Sequence, residues 1–214
     1  MKKIITLLSL VALTACNATT RMSGYVDPDY RGNFQAQKVV VTSLGIPLEE
    51  KKNVEEAYIS SLSYYSVEVV RGLELYPPTR DIPKESLIPL AKKAGADSLL
   101  LLSVGARDVQ ETYVPETYHP GSSTSYVSGY GSYATVNTYH SPGYTSGGYS
   151  VSKPSQAVFV TLFDTKKSKI VWEADGVSGG NAMANFNDLS ISAVKASVEE
   201  LEKEGLIVKV SDAN

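Results

Sequence analysis

Residues 90–105 read LAKKAGADSLLLLSVG. Lys92 and Lys93 sit where a short helix over Ser86–Ala94 ends, and cations suit the negative end of a helix dipole. Gly95 supplies the residue that caps such a helix. Leu99–Leu102 then open a strand over 97–114, apolar in its first half and polar in its second. A short unbroken apolar run of this kind marks a buried strand. A helix that passes through a glycine cap into a buried strand belongs to a layered α/β sandwich.

The same alternation continues on both sides. Upstream, KVVVTSL (38–44) is a β-branched run and predicts a buried strand. Pro47 with Glu49 and Glu50 begins a helix whose apolar residues Val54, Tyr58, Leu62 and Tyr65 share one face. The charges of EEKKNVEE (49–56) read as its solvated face. VEVVRGLEL (67–75) predicts a second strand, and PPTRD (77–81) a turn. Downstream, QAVFVTLFD (156–164) and KIVWEADGVSGG (169–180) form a hairpin around TKKS, with Trp172 in the core. A last helix is expected over 182–204, with the stripe Met183, Phe186, Leu189, Ala193, Val194, Val198 and Leu201, ending at Gly205. LIVKV (206–210) closes the sheet as an edge strand. The predicted order is β-α-β-α-β-(insert)-β-β-α-β. This is α/β: a single sandwich domain with helices packed on a mixed sheet and a long Tyr/Ser/Gly-rich insert between two strands.

The amino terminus is an address. MKKIITLLSLVALTAC has a charged start at Lys2 and Lys3 and an apolar run from Ile4 to Leu13. That run is too short to span a bilayer and suits a secretory signal. Its end, Leu13-Thr14-Ala15-Cys16, resembles the lipobox of bacterial lipoproteins, whose cysteine is diacylated and becomes the first residue. This implies a signal peptide over 1–15, lipidation at Cys16 with diacylglycerol and palmitate, and firm membrane attachment. Because Asn17, and not an aspartate, follows the cysteine, the resemblance implies sorting to the outer membrane, with the domain facing the periplasm. NATTRMSGYVDPDYRGNFQAQ (17–37) is polar and turn-rich, so 16–37 reads as lipidated cysteine plus flexible tether, and 38–210 as the periplasmic domain.

Composition narrows the partners. Removal of 1–15 leaves 18 basic against 23 acidic residues, a net of −5. Such a balance disfavours nucleic acid and anionic lipid headgroups as partners. Cys16 is the chain's only cysteine, so its acylation leaves no thiol for a disulfide or a nucleophile.

Within the insert (115–152), residues 116–150 hold seven Tyr, eight Ser, six Gly and five Thr, and no Leu, Ile or Phe. Between Glu116 and Lys153 there is no charge. So little aliphatic surface does not offset the entropy of ordering the segment, which predicts a loop. Tyrosine gives amphipathic contact at low rotamer cost, so Tyr118, Tyr126, Tyr130, Tyr133 and Tyr139 are candidate partner contacts. A membrane hairpin needs a lipid-facing stripe. Tyr126 and Tyr130 fall at even positions and Tyr133 and Tyr139 at odd ones, so no stripe is expected.

Four stretches taken together resemble a known domain: KVVVTSL, SVEVVRG, LAKKAGADSLLLLSVG with Gly95-Ala96-Asp97, and VTLFDTKKSKIVWEADG with its Asp164-Thr165 turn. They resemble the periplasmic α/β lipoprotein domain of the curli-secretion-channel family. That domain type is shared by outer-membrane lipoprotein activators of penicillin-binding proteins and by the amino-terminal domain of TolB. Where that pattern continues with glycine, this chain has Lys166. The resemblance implies a non-catalytic adaptor or accessory in envelope assembly or secretion, acting through an envelope protein partner or self-association. Its alternative is an oligomeric secretion-channel subunit.

No enzyme is expected, nor any cofactor or small-molecule substrate. His119 and His140, in TYHPG and TYHSPG, read as paired turns and not as metal ligands. DGVSGGN (175–181) reads as a turn into a helix.

Overall fold

The computed structural model describes residues 17–130 and 133–210, so Cys16 and the signal lie outside the described residues. In chain order the strands are β1 (Ala18–Val26), β2 (Lys38–Leu44), β3 (Glu68–Arg71), β4 (Ser98–Val114), β5 (Thr117–His119), β6 (Ser122–Tyr130), β7 (Tyr133–Ser141), β8 (Tyr144–Ser146), β9 (Tyr149–Asp164) and β10 (Lys169–Gly180). The helices are α1 (Leu48–Leu62), α2 (Gly72–Leu75), α3 (Leu87–Lys93) and α4 (Phe186–Lys203). Two compact units result: one up to Asp108 and again from Pro154, the other Val109–Lys153.

The first unit is built on a six-stranded sheet in the order β1-β10-β9-β4-β2-β3. β2 runs parallel to β3 and β4, while β10 is antiparallel to both β1 and β9. At one end of β4 the Thr165 N–H donates to the Asp97 carbonyl. Ten residues on, Arg107 bonds Gln156, so β4 and β9 are antiparallel as well. The sheet is therefore mixed, with helices on it, as the apolar runs predict.

Alternation along the strands decides which helix meets which face. Val39, Val41, Leu100, Leu102, Val158, Val160 and Trp172 pack with Val54, Tyr58 and Leu62 of α1 and Val194, Val198 and Leu201 of α4. Val40 and Leu99 point the other way, onto Leu87 and Ala91 of α3. Covered on both faces, β2 and the start of β4 need no polar alternation, which is why they read as solid apolar runs.

The two motifs behind the family resemblance prove to be halves of one junction. The Asp97 carboxylate accepts the N–H groups of Gln37 and Lys38 and the Ser98 hydroxyl. Thr165 donates its hydroxyl to the Ala96 carbonyl at 2.6 Å, and Asp164 accepts from the N–H groups of Lys166 and Lys167. Tyr30 covers Asp164, donating its hydroxyl at 3.2 Å, and burial followed by the carboxylate's charge pushes the phenol up to about 12. The turn takes its positive φ at Ser168 (55°), which leaves Lys166 in ordinary geometry.

Several expectations are corrected. Residues 17–37 are not a flexible tether: β1 pairs with β10 over nine registered positions and lays Ala18, Thr20, Met22, Gly24 and Val26 inward. Three of these, Ala18, Thr20 and Gly24, are small or half-polar, so Met22 and Val26 alone give the stretch no clear hydrophobic period. Gly24 is what lets β1 approach, because a Cβ there would run into the Trp172 indole. The strand expected over 67–75 stops at Arg71, where α2 begins; a side chain at Gly72 would strike Thr42 and the Val41 carbonyl. Met183 is not part of the last helix's stripe. An Asn185–Asp188 capping box starts α4 after it and leaves Met183 82% exposed. LIVKV forms a bridge from Lys209 to Tyr65 in place of an edge strand, burying Leu206 and Ile207.

Glu50 and Glu55 leave the solvated face assigned to them and are buried. Burial pushes the Glu55 carboxyl above its usual range, against the opposing bond it accepts from the Leu73 N–H.

Candidate functional site: a charge-free ribbon and its buried root

The second unit is not the loop that its composition predicts. β5 pairs antiparallel with β8, and β6 with β7. Ser122 opposes Ser141, Val127 opposes Val136 and Tyr130 opposes Tyr133. Thr117 likewise opposes Ser146 in the same register. Breaks fall at Pro120-Gly121 and Pro142-Gly143, where proline has no N–H to give a ladder. Gly121 is required there, since its Cβ would overlap the Ser141 carbonyl. The paired turns read from TYHPG and TYHSPG thus interrupt a ribbon at matching points.

This register overturns the parity argument. Tyr126 faces Asn137 and Tyr139 faces Thr124, so an even position on β6 and an odd one on β7 share a face. Their rings meet edge to face, with centroids 6.1 Å apart at 72°. Aromatic pairs in that arrangement contribute about 0.5–1.5 kcal/mol beyond area burial. The other face carries the Val127–Val136 pair and a hydroxyl bond from Ser125 to Thr138 at 2.8 Å. Tyr126, Val127, Val136 and Tyr139 are all 60–69% exposed.

Of the five candidate tyrosines, the structure brings Tyr126 and Tyr139 together. Tyr118 lies on β5 against Gly143, apart from that pair. Tyr130 and Tyr133 are backbone partners whose side chains lie outside the described residues. Three contacts escaped the sequence reading. His119 stacks on Tyr144 at 4.6 Å and bonds the Ser146 hydroxyl at 2.9 Å, and Val127 pairs with Val136. His140 is on β7, opposite Ser123, so the two histidines belong to different strand pairs. No cluster of three or more metal-ligating side chains occurs among the described residues.

The first unit fixes the points where the chain leaves and returns, at Asp108 and Pro154. Arg107 of β4 donates to Glu50 of α1 at 2.5 Å and to Gln156 of β9 at 3.1 Å. Gln156 donates to Ser190 of α4 at 2.9 Å, and Ser190 donates to the same Glu50 oxygen at 2.6 Å. This closed ring joins two helices to two strands, with the guanidinium 4.7 Å from the Phe186 ring centroid. Buried polar groups of this kind hold their geometry because each is satisfied by the others. The ring is a structural clamp: both carboxylate and guanidinium are spent on each other.

No family model matches the chain, and no curated protein matches it. Among solved structures the chain is similar to the PelC dodecamer from Paraburkholderia phytofirmans. Identity is 14%, over 86% of this chain and 96% of that one, with a TM-score of 0.46. It is also similar to lipoprotein GNA1162 from Neisseria meningitidis, at 12% identity over 78% of this chain and 98% of that one, with a TM-score of 0.42. Overlaps this shallow transfer no residue role.

Proposed function

We propose that the protein is a non-catalytic, lipid-anchored accessory of the bacterial cell envelope, held by Cys16 at the outer membrane with its domain in the periplasm. Its task is contact: the ribbon of the second unit docks onto another envelope component through Tyr126 and Tyr139, with Tyr118 on β5 as a separate contact. The supporting observation is the ribbon itself, a charge-free pair of strands with both faces open and its tyrosines in one register. Exposed side chains that add nothing to a core fit a role in recognition, and tyrosine gives such surfaces adhesion at low entropic cost. Among the described residues no helix is long and apolar enough to cross a membrane, in keeping with attachment through lipid.

A photo-crosslinking residue at Tyr126 or Tyr139 in living cells tests the reading. A discrete adduct from both positions, with none from Thr79 on the first unit, is expected. Equal background from all three positions refutes the ribbon as the contact.

The second reading, an oligomeric channel subunit, gains from the observed pairing. A two-stranded ribbon has two unpaired edges, and uncharged edges invite further strands. Native mass spectrometry of detergent-extracted protein separates the readings: many-membered rings favour the channel, monomers or dimers the adaptor.

A further inference from the structure

The chain outside the described residues ends at Cys16, and Asn17 already sits on the domain. Its carbonyl accepts the Asn181 N–H at 2.9 Å, and its side-chain oxygen accepts from the Asn181 amide at 3.3 Å. β1 starts at the next residue. Consecutive Cα atoms lie about 3.8 Å apart, so a lipid on Cys16 holds the domain with almost no leash.

Beside that point lies GVSGGNAMANFN (176–187), twelve residues without a charge. Met183 stands in its middle, 82% exposed. The Met183 N–H donates to the Asn181 side-chain oxygen at 2.9 Å. One asparagine therefore binds both the residue next to the anchor and the exposed methionine. A lone exposed apolar residue is ordinary; one tied to the attachment point of an acyl chain is not.

We infer that the loop 181–185, led by Met183, docks into the interfacial layer of the bilayer that holds Cys16 and so sets the orientation of the first unit on the membrane. This rests on the lipid-anchor reading above. The occupant is the bilayer surface, because the anchored chain ends within one residue of the loop. In sequence the flanking charges are Asp175 and Asp188; Arg21 opposes Val177 across the β1–β10 ladder, and Lys195 and Glu199 line the cavity beside Asn17. β10 runs twelve residues from this end, about 40 Å at the usual strand rise, so the turn around Lys166 points away from the membrane. A Cβ on Gly180 would lie 3.2 Å from Pro154, so the chain re-enters the first unit at the docked end.

In the mature lipoprotein Cys16 is acylated, so M183C and K166C each present a single free thiol for a fluorescent label. The labelled lipoproteins are placed on phosphatidylethanolamine–phosphatidylglycerol vesicles and tested for flotation and quenching. Brominated acyl chains are expected to quench the label at 183 about threefold more than at 166, with aqueous iodide showing the reverse. Equal quenching at both sites on protein that floats overturns the docking but leaves the anchor intact. Iodide protection at 183 that grows with protein concentration, without bromolipid quenching, assigns the loop to a second copy and also overturns it. Protein that does not float removes the anchor reading and this inference together.

Discussion

β2 and β6 are both strands, seven and nine residues long, yet different forces hold them. β2 lies between two parallel neighbours with Val39, Val40 and Val41 sealed from solvent. β6 has one partner, and its Tyr126 and Val127 are open on opposite faces. Burial decides the first: a register slip would carry core residues to the wrong face. The second is decided by ladder bonds and cross-strand pairs, each small, and an isolated two-stranded ribbon is marginal on its own. The lesson is that sensitivity to mutation and availability for contact are divided between the two units. The first unit commits its side chains to a buried core and the Arg107–Glu50 ring; the second keeps its side chains exposed.

Substitutions sharpen that division. The largest effect is expected at the buried ring. R107A leaves the Gln156 oxygen without its donor and the Glu50 charge with only the Ser190 hydroxyl in a desolvated site, and such a loss costs about 3 kcal/mol. Urea unfolding of the first unit should show it as a lower midpoint at unchanged slope. Pairing E50Q with R107M should recover most of the loss, because no charge is then stranded; a loss under about 0.5 kcal/mol for R107A would show that the ring is not a clamp. A smaller effect is expected from G24V. β1 crosses the Trp172 indole at Gly24, and overpacking there costs about 1–3 kcal/mol. A tether would absorb valine without change, so an unaltered midpoint restores the tether reading of residues 17–37.

How much of this was legible follows from the same division. The runs at 38–44 and 98–102 announce their strands because burial on both faces strips them of polar residues, and 156–164 does so through Val158, Val160 and Leu162 on its buried face; the sandwich follows from them. The α1 stripe of Val54, Tyr58 and Leu62 was equally plain, and all three are buried. β1 was not legible, because three of its five inward residues are alanine, threonine and glycine, leaving only Met22 and Val26 apolar and bulky, and its partner is fixed only in space. Nor were Glu50 and Glu55: charges on a helix read as solvated until the Arg107 donor and the Leu73 N–H that receive them are known. The ribbon carried a usable signal that parity obscured. Tyr130-Gly131-Ser132-Tyr133 has the Gly-Ser pair of a two-residue hairpin, and across such a turn even positions oppose odd ones. Cys16, by contrast, is legible only in sequence, since it lies outside the described residues.

The smallest expected effect tests the comparison most directly. Deleting 117–150 joins Glu116 to Val151, close to where the Gly148 N–H donates to the Val114 carbonyl at 2.8 Å, so little new backbone strain is imposed. None of the deleted side chains belongs to either buried core cluster. If the units are energetically separate, the first unit should keep its cooperative thermal transition, with stability within about 0.5 kcal/mol of the parent. The crosslinks sought from Tyr126 and Tyr139 would vanish with the segment. A lost transition would mean that the ribbon supports the fold, and its exposed tyrosines would then need a structural explanation in place of a binding one. An unchanged transition with lost contact in cells would show that a segment with almost no share in stability carries the recognition.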